Sequence, residues 1–293
     1  MSNTQIHPRS LRAKAEAVSS GLPALIARAE HLAATLAMGV HGRKRPGVGE
    51  DFWQYRHAEA GDDMRRIDWR RSAKSEQLFI RQKEWQSAQS VYLWVDPGAS
   101  MQFGADTHES KGMRANLFAI ALAILLSKGG ERFGLLDAET PPKTGDVQIS
   151  KIARALTQPN GQEDYASFRP LALPKGSRAV FFSDFLGDWD KMKDALSRVS
   201  DQGVRGVLVQ VLDPTEIAFP FKGRTIFESM KRTINFESRR ADALRQDYLA
   251  KLEERKDALK QLSRKTGWRV TTHVTDQQAQ RTMLWLYNAL ELG

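Results

Sequence analysis

The strongest constraint on this chain is a rhythm in its second half, where short apolar runs alternate with segments of helical spacing. The runs are VYLWVD (residues 91–96), FGLLD (133–137), AVFFSD (179–184), VRGVLVQVLD (204–213) and WRVTTHVT (268–275), and the first four end in Asp. Helical patterns lie between them near residues 114–128, 147–156, 189–199 and 239–265. Gly267 closes the longest of these in the C′ role, and Asp276 is placed to cap a final helix reaching Leu290. Runs without an alternating polar face are buried on both sides, which is how the strands of a parallel sheet read when helices cover each face. The expected fold class is α/β, a doubly wound, mostly parallel sheet.

The first third reads differently. Residues 22–38 are Ala-rich, with Leu22, Leu25, Ile26, Ala29, Leu32, Ala33 and Leu36 at helical spacing, the pattern of a packing helix. A Gly-rich break follows at 39–49. Residues 50–86 mix Trp53, Trp69 and Trp85 with many charges, as short strands and turns covering another surface would. The expected division is residues 1–89 as an amino-terminal helix with a strand-and-turn segment, and 90–293 as the α/β domain.

Composition narrows the function classes. No Cys occurs among 293 residues, which excludes disulfides, thiolate metal centres and a cysteine nucleophile. The amino terminus lacks a charged-then-apolar leader, and the apolar stretch 22–40 is interrupted by Arg28, Glu30 and His31. A cytoplasmic protein without a membrane span is expected. The net charge is +9, with the excess in residues 1–90 and 214–293 while the middle is close to neutral. A polyanionic partner therefore has to be weighed. Arg43, Lys44 and Arg45 form the one uninterrupted cationic run, but no recognition motif accompanies it, so nucleic acid is disfavoured.

Catalytic signatures are sparse. The chain has no phosphate-binding G-x-x-x-x-G-K-[ST], no G-x-S-x-G elbow and no H-E-x-x-H, and its six histidines show no ligand spacing. A non-enzymatic protein is expected. Two strand candidates end in Asp96 and Asp184. With a strand order of the common 3-2-1-4-5-6 type, both would face the crevice where the winding reverses. Adjacent carboxylates repel unless a cation, a basic side chain or a proton intervenes, and a hard divalent ion assisted by Ser100 and Ser183 is one candidate. Each Asp capping its own loop fits the same spacing. Asp62, Asp63 and Asp68 form a further acidic group, but Arg65 and Arg66 among them favour salt bridging over metal binding.

At residues 45–86 the sequence resembles the bacterial family catalogued as domain of unknown function 58. The residues that carry the resemblance are Gly47, Gly49, Phe52, Tyr55, Arg56, Gly61, Asp62, Asp63, Arg66, Ile67, Asp68, Trp69, Ser72, Ala73 and Lys74, followed by the strand into Asp96 and by Ser183-Asp184-Phe185. That family is similar to von Willebrand factor A domains, whose metal-ion-dependent adhesion site uses D-x-S-x-S, a Thr from another loop and a later Asp. The resemblance implies a degenerate site of Asp96, Ser100 and Asp184, holding Mg²⁺ weakly if at all. Gly98 replaces the first serine, and the loop around QPNGQEDYASF supplies no Thr.

The resemblance also implies a partner, a MoxR-type AAA+ ATPase, which the chain would serve as adaptor or co-chaperone in the assembly or maturation of a client protein. Gly98, at the strand-end crevice, together with Arg43, Lys44, Arg45, Arg65 and Arg66, would contact it. Two competing readings are a metal-dependent hydrolase built from Asp62, Asp63, Asp68, Asp96 and Asp184, and a nucleic-acid-binding protein acting through the basic flanks.

Overall fold

In the computed structural model the described residues are 22–37, 52–57, 72, 78–83, 90–104, 109–138, 140–158, 163–166, 168, 172–223, 225–228, 235–238 and 241–291. Among them, five strands form one all-parallel sheet. They are β3 (Ser90–Val95), β4 (Arg132–Leu135), β5 (Arg178–Ser183), β6 (Arg205–Leu212) and β9 (Arg269–Val274). Their spatial order is β4-β3-β5-β6-β9. This corrects the six-strand order expected above, because no further strand lies outside β4 among the described residues. The consequence for the site survives the correction. The chain winds from β3 outward to β4, then crosses back to β5, so β3 and β5 are neighbours at the reversal point.

Alternating side chains on each strand feed two apolar cores, one on either face. Val91, Leu93, Val180, Phe182, Val207, Val209 and Val211 point to one face. They pack there against α1 (residues 22–37), α2 (Lys111–Lys128), α3 (Asp146–Thr157) and α7 (Ala279–Glu291). Helix α2 lies centrally on this face and is buried along most of its length, which is why its sequence is apolar nearly all round. On the other face, Trp94, Ala179, Phe181 and Leu208 pack against α4 (Trp189–Asp201) and α6 (Ala241–Thr266). The sheet is thus doubly wound, in the manner of a von Willebrand factor A-like fold. Arg28 of α1 reaches Glu109, just ahead of α2, at 2.7 Å, so the amino-terminal helix is joined to this layer by charge as well as by apolar packing.

Local chemistry sets the element ends. Gly267 takes φ 71° directly after α6, the left-handed position expected of it. The helix at the carboxyl end begins at Ala279, so Asp276 lies in the preceding turn and is not its cap. Helix α2 starts at Lys111, three residues before the expected Arg114, because Ser110 accepts a hydrogen bond from the Met113 amide and nucleates an earlier first turn. The stretch after β6 also holds elements that its irregular sequence pattern concealed. They are a short helix α5 (Pro214–Ala218) and an antiparallel pair, β7 (Thr225–Glu228) with β8 (Asn235–Ser238). A second antiparallel pair, β1 (Phe52–His57) with β2 (Phe79–Lys83), lies in the segment read as strands and turns.

One close approach fixes the β6–β9 side of the sheet. Trp268 lies over β6 and stacks on Phe181 with ring centroids 5.6 Å apart, while its indole N–H donates to the Val204 carbonyl at 3.0 Å. A methyl group on Gly206 would stand 2.1 Å from the Trp268 ring carbons, so only glycine fits. Gly206→Ala is therefore expected to lower unfolding free energy by about 1–3 kcal/mol through overpacking. Urea denaturation would show the midpoint falling at constant slope. An unchanged midpoint would mean that Trp268 does not cover this strand.

Candidate functional site

Three loops meet at the carboxyl ends of β3, β5 and β6. The loop after β3 is held by Asp96, which is buried. Its Oδ1 accepts from the Gly98 amide at 2.8 Å and its Oδ2 from the Ser183 hydroxyl at 2.6 Å, while the Ala166 amide also donates to it. The segment around residue 164 is drawn in by its backbone as well, since the Ala99 and Ser100 amides donate to the carbonyls of Glu163 (3.0 Å) and Asp164 (2.8 Å). A Cβ at position 98 would meet the Ala166 nitrogen at 2.8 Å, Asp96 Oδ1 at 2.9 Å and the Asp164 carbonyl at 3.0 Å. Gly98 is therefore buried under residues 164–166, and the glycine is what lets the two loops touch.

The loop after β5 is strained and held in place. Phe185 has φ 54°, a left-handed conformation unfavourable by roughly 1–2 kcal/mol for a residue with a Cβ. Its amide donates to Ser183 Oγ at 2.9 Å, and Arg255 of α6 donates to the Phe185 and Gly187 carbonyls while lying over the Trp189 ring. Asp184 then points to the opposite face of the sheet from Ser183. Its Oδ1 accepts from the Leu186 amide at 2.9 Å and its Oδ2 from Lys111 Nζ at 2.8 Å.

Lys111 is the first residue of α2 and is 1% exposed. The same nitrogen donates to Glu216 Oε1 at 2.6 Å. Glu216 closes a capping box on α5, its Oε2 accepting from the Asp213 amide at 2.8 Å. Burial alone would lower the lysine pKa, but Asp184 and Glu216 more than offset it and raise the pKa above the usual range. Burial moves Glu216 upward against the pull of Lys111. Removing one partner of such a buried pair costs about 3–5 kcal/mol, because an uncompensated charge is left behind.

A divalent ion held by Asp96, Ser100 and Asp184 would need free oxygens. Ser100 Oγ is buried and has no hydrogen-bond partner, which suits a ligand. The carboxylates do not suit one. Both oxygens of Asp96 are engaged by N–H and O–H donors, and Asp184 accepts an ammonium on one oxygen and an amide on the other. Among the described residues no group of three His, Asp or Glu side chains is gathered as ligands. As arranged, the donor set does not fit Mg²⁺, which demands near-octahedral oxygen coordination.

The family pattern described as "Protein of unknown function DUF58" matches residues 54–258, a span that contains both halves of this site. The chain belongs to the DUF58 family. Similar proteins of Mycobacterium tuberculosis and Mycobacterium bovis, both described as uncharacterized, are 29% identical over 217 residues, covering 69% of this chain and 68% of theirs.

Within this DUF58 chain, the structure brings Asp96, Gly98, Ser183 and Asp184 together, as their strand-end positions suggested. Arg43, Lys44, Arg45, Asp62, Asp63, Arg65, Arg66 and Asp68 lie outside the described residues. The sequence reading missed Lys111 and Glu216. Both carried a signal: a lysine at a helix start opposes the helix dipole, and Asp213-Pro214-Thr215-Glu216 has capping-box spacing. His273 is buried, accepting from Arg114 and paired with Thr282. Burial, reinforced by the Arg114 charge, lowers its pKa to about 3, so it is a packing residue rather than a base.

Asp96 provides a pH test. Burial, then the Asp184 charge, raises its carboxyl from 3.8 to about 6, while its three donors pull the other way. A folded-state pKa above the unfolded value favours the protonated folded form. The contribution is therefore fully present below about pH 4 and lost as pH rises through about 6, amounting to about 3 kcal/mol. Relative to wild type, Asp96→Asn should become more stable by roughly that amount between pH 4 and pH 7 in denaturant titrations. A pH-independent difference would contradict the buried, charged environment described for Asp96. Gly98→Ser, which restores the adhesion-site serine, is expected to destabilise by about 1–3 kcal/mol because nothing around it can yield cheaply. Stability unchanged by that substitution would count against the loop contact.

Proposed function

We propose that this DUF58 protein is a non-enzymatic adaptor or co-chaperone that binds a MoxR-type AAA+ ATPase through the carboxyl-end face of its sheet, in the assembly or maturation of a client protein. The observation that carries this reading is the state of the charged groups there. Asp96, Asp184, Lys111 and Glu216 are each held in bonds that lock loops together, which builds a rigid surface at the carboxyl end of the sheet. Tyr165 is 47% exposed and Met113, two residues after Lys111 in α2, is 50% exposed, large side chains of the kind that anchor protein interfaces. Tyr165 is within electrostatic reach of Asp184, Lys111 and Glu216 and its side chain lies against Gly187, so an anchor at this point would be close to the locked loops. Membership in the family supports the same reading through the partner that the family resemblance implies.

Among the described residues no helix is long and apolar enough to cross a membrane. Two ion pairs run along α6, Lys256 with Glu253 at 2.7 Å and Lys260 with Asp257 at 2.9 Å, so acids are interleaved with the cations at those positions.

Affinity capture of the tagged full chain from its native lysate, followed by mass spectrometry, tests the proposal. An AAA+ ATPase is expected among the captured proteins. Its recovery should fall by at least about tenfold when Met113→Glu and Tyr165→Ala are combined, because anchors at an interface centre carry most of the affinity. Capture without any such ATPase, or recovery indifferent to both substitutions, would contradict it.

A further inference from the structure

We propose that Lys111 is the resident cation of the strand-end site, a tethered ammonium standing where a divalent ion would otherwise bridge two loops, so that the site is independent of metal. The inference rests on the side chains themselves and not on the ATPase reading.

Two carboxylates from different loops, Asp184 after β5 and Glu216 on α5, converge on one nitrogen at 2.8 and 2.6 Å. The second oxygen of each is already committed to a backbone amide, of Leu186 and Asp213 respectively. That arrangement is what a bridging cation does: it neutralises two acids and fixes the geometry between the segments carrying them. Nothing else accounts for a lysine here. The position is the first turn of α2, where the helix dipole disfavours a positive charge. The side chain is almost fully removed from water, which disfavours it further. The paired acids compensate, helped by the Phe103 ring, whose centroid lies 5.7 Å from the ammonium. The ammonium offers directional N–H donors at hydrogen-bond distance, so it holds both oxygens without the six-ligand shell that Mg²⁺ requires. Asp96, the other acid at the strand ends, has both oxygens occupied by donors of the chain itself and does not touch the ammonium.

The consequence is specific. Taking away the ammonium while keeping the acids leaves two converging carboxylates without their counter-charge, which a hard divalent cation would supply. Mn²⁺ binding to the purified full chain, followed by electron paramagnetic resonance and by thermal unfolding, tests this. Wild type is expected to show no saturable Mn²⁺ binding that depends on Asp184, and the same Tm in EDTA as in millimolar Mn²⁺. Lys111→Ala is expected to unfold about 10 °C lower in EDTA. It should also bind Mn²⁺ at least about tenfold more tightly than wild type and regain roughly 3 °C in its presence. Adding Glu216→Gln to Lys111→Ala should remove the gained binding, which assigns it to this pair of acids.

Saturable Mn²⁺ binding by wild type that Asp184→Asn abolishes would overturn the proposal. So would a folded Lys111→Ala that gains no Mn²⁺ binding. Should Lys111→Ala fail to fold, Lys111→Arg decides together with wild type. A charge-retaining variant that folds, alongside a wild type indifferent to Mn²⁺, supports the proposal, whereas an Mn²⁺-dependent wild type overturns it. Loss of ATPase capture would leave these readouts untouched, so the two proposals fail separately.

Discussion

Two acids meeting inside a protein must be neutralised, and in this chain a buried lysine does it. Lys111 links the start of α2 to the loop after β5 and to the short helix after β6, three segments far apart in sequence that only the parallel sheet brings together. The energetics of a buried ion group are asymmetric: the intact set contributes modestly, while loss of any member is severe. Such a device fixes one arrangement of loops more than it adds stability. Here the arrangement it fixes is the carboxyl-end face of the sheet, where open α/β sheets bind their ligands.

Around that group the other strand-end interactions act in the same sense. Asp96 joins the loops at 98 and 166, Ser183 connects Asp96 to the strained Phe185, and Arg255 ties the far side of that loop to α6. Gly98 contributes by having no side chain, which allows the backbone of residues 99 and 100 to bond with residues 163 and 164. Viewed through adhesion-site chemistry, losing that serine is a defect. The structure gives the glycine a use, because a serine there would push apart the loops that close over Asp96. A surface built this way has few moving parts, which is consistent with the proposed recognition of another protein.

Much of this was legible from the sequence, for definite physical reasons. Strands buried on both faces are written as unbroken apolar runs, so β3, β4, β5, β6 and β9 fell within a residue or two of their expected places. Asp96 and Asp184 end two such runs, and the reversal of winding made them neighbours even though the strand order differed from the one expected. What the sequence concealed was the partner of Asp184. Lys111 lies three residues ahead of Arg114, where the helical spacing becomes legible, so the lysine fell in the connecting segment and carried no pattern that tied it to Asp184. Glu216 lay in a stretch without periodicity, where a five-residue helix leaves no hydrophobic pattern to detect. Pairings between segments more than 70 residues apart are set by topology, and no local spacing records them.

The most direct test of this account is a crystal structure of the wild-type chain grown in Mn²⁺, with anomalous diffraction measured at the manganese edge. The account predicts no anomalous peak within coordination distance of Asp96, Ser100 or Asp184, and Lys111 Nζ between Asp184 and Glu216. A peak bound by Asp96 and Asp184, with Lys111 turned away, would contradict it.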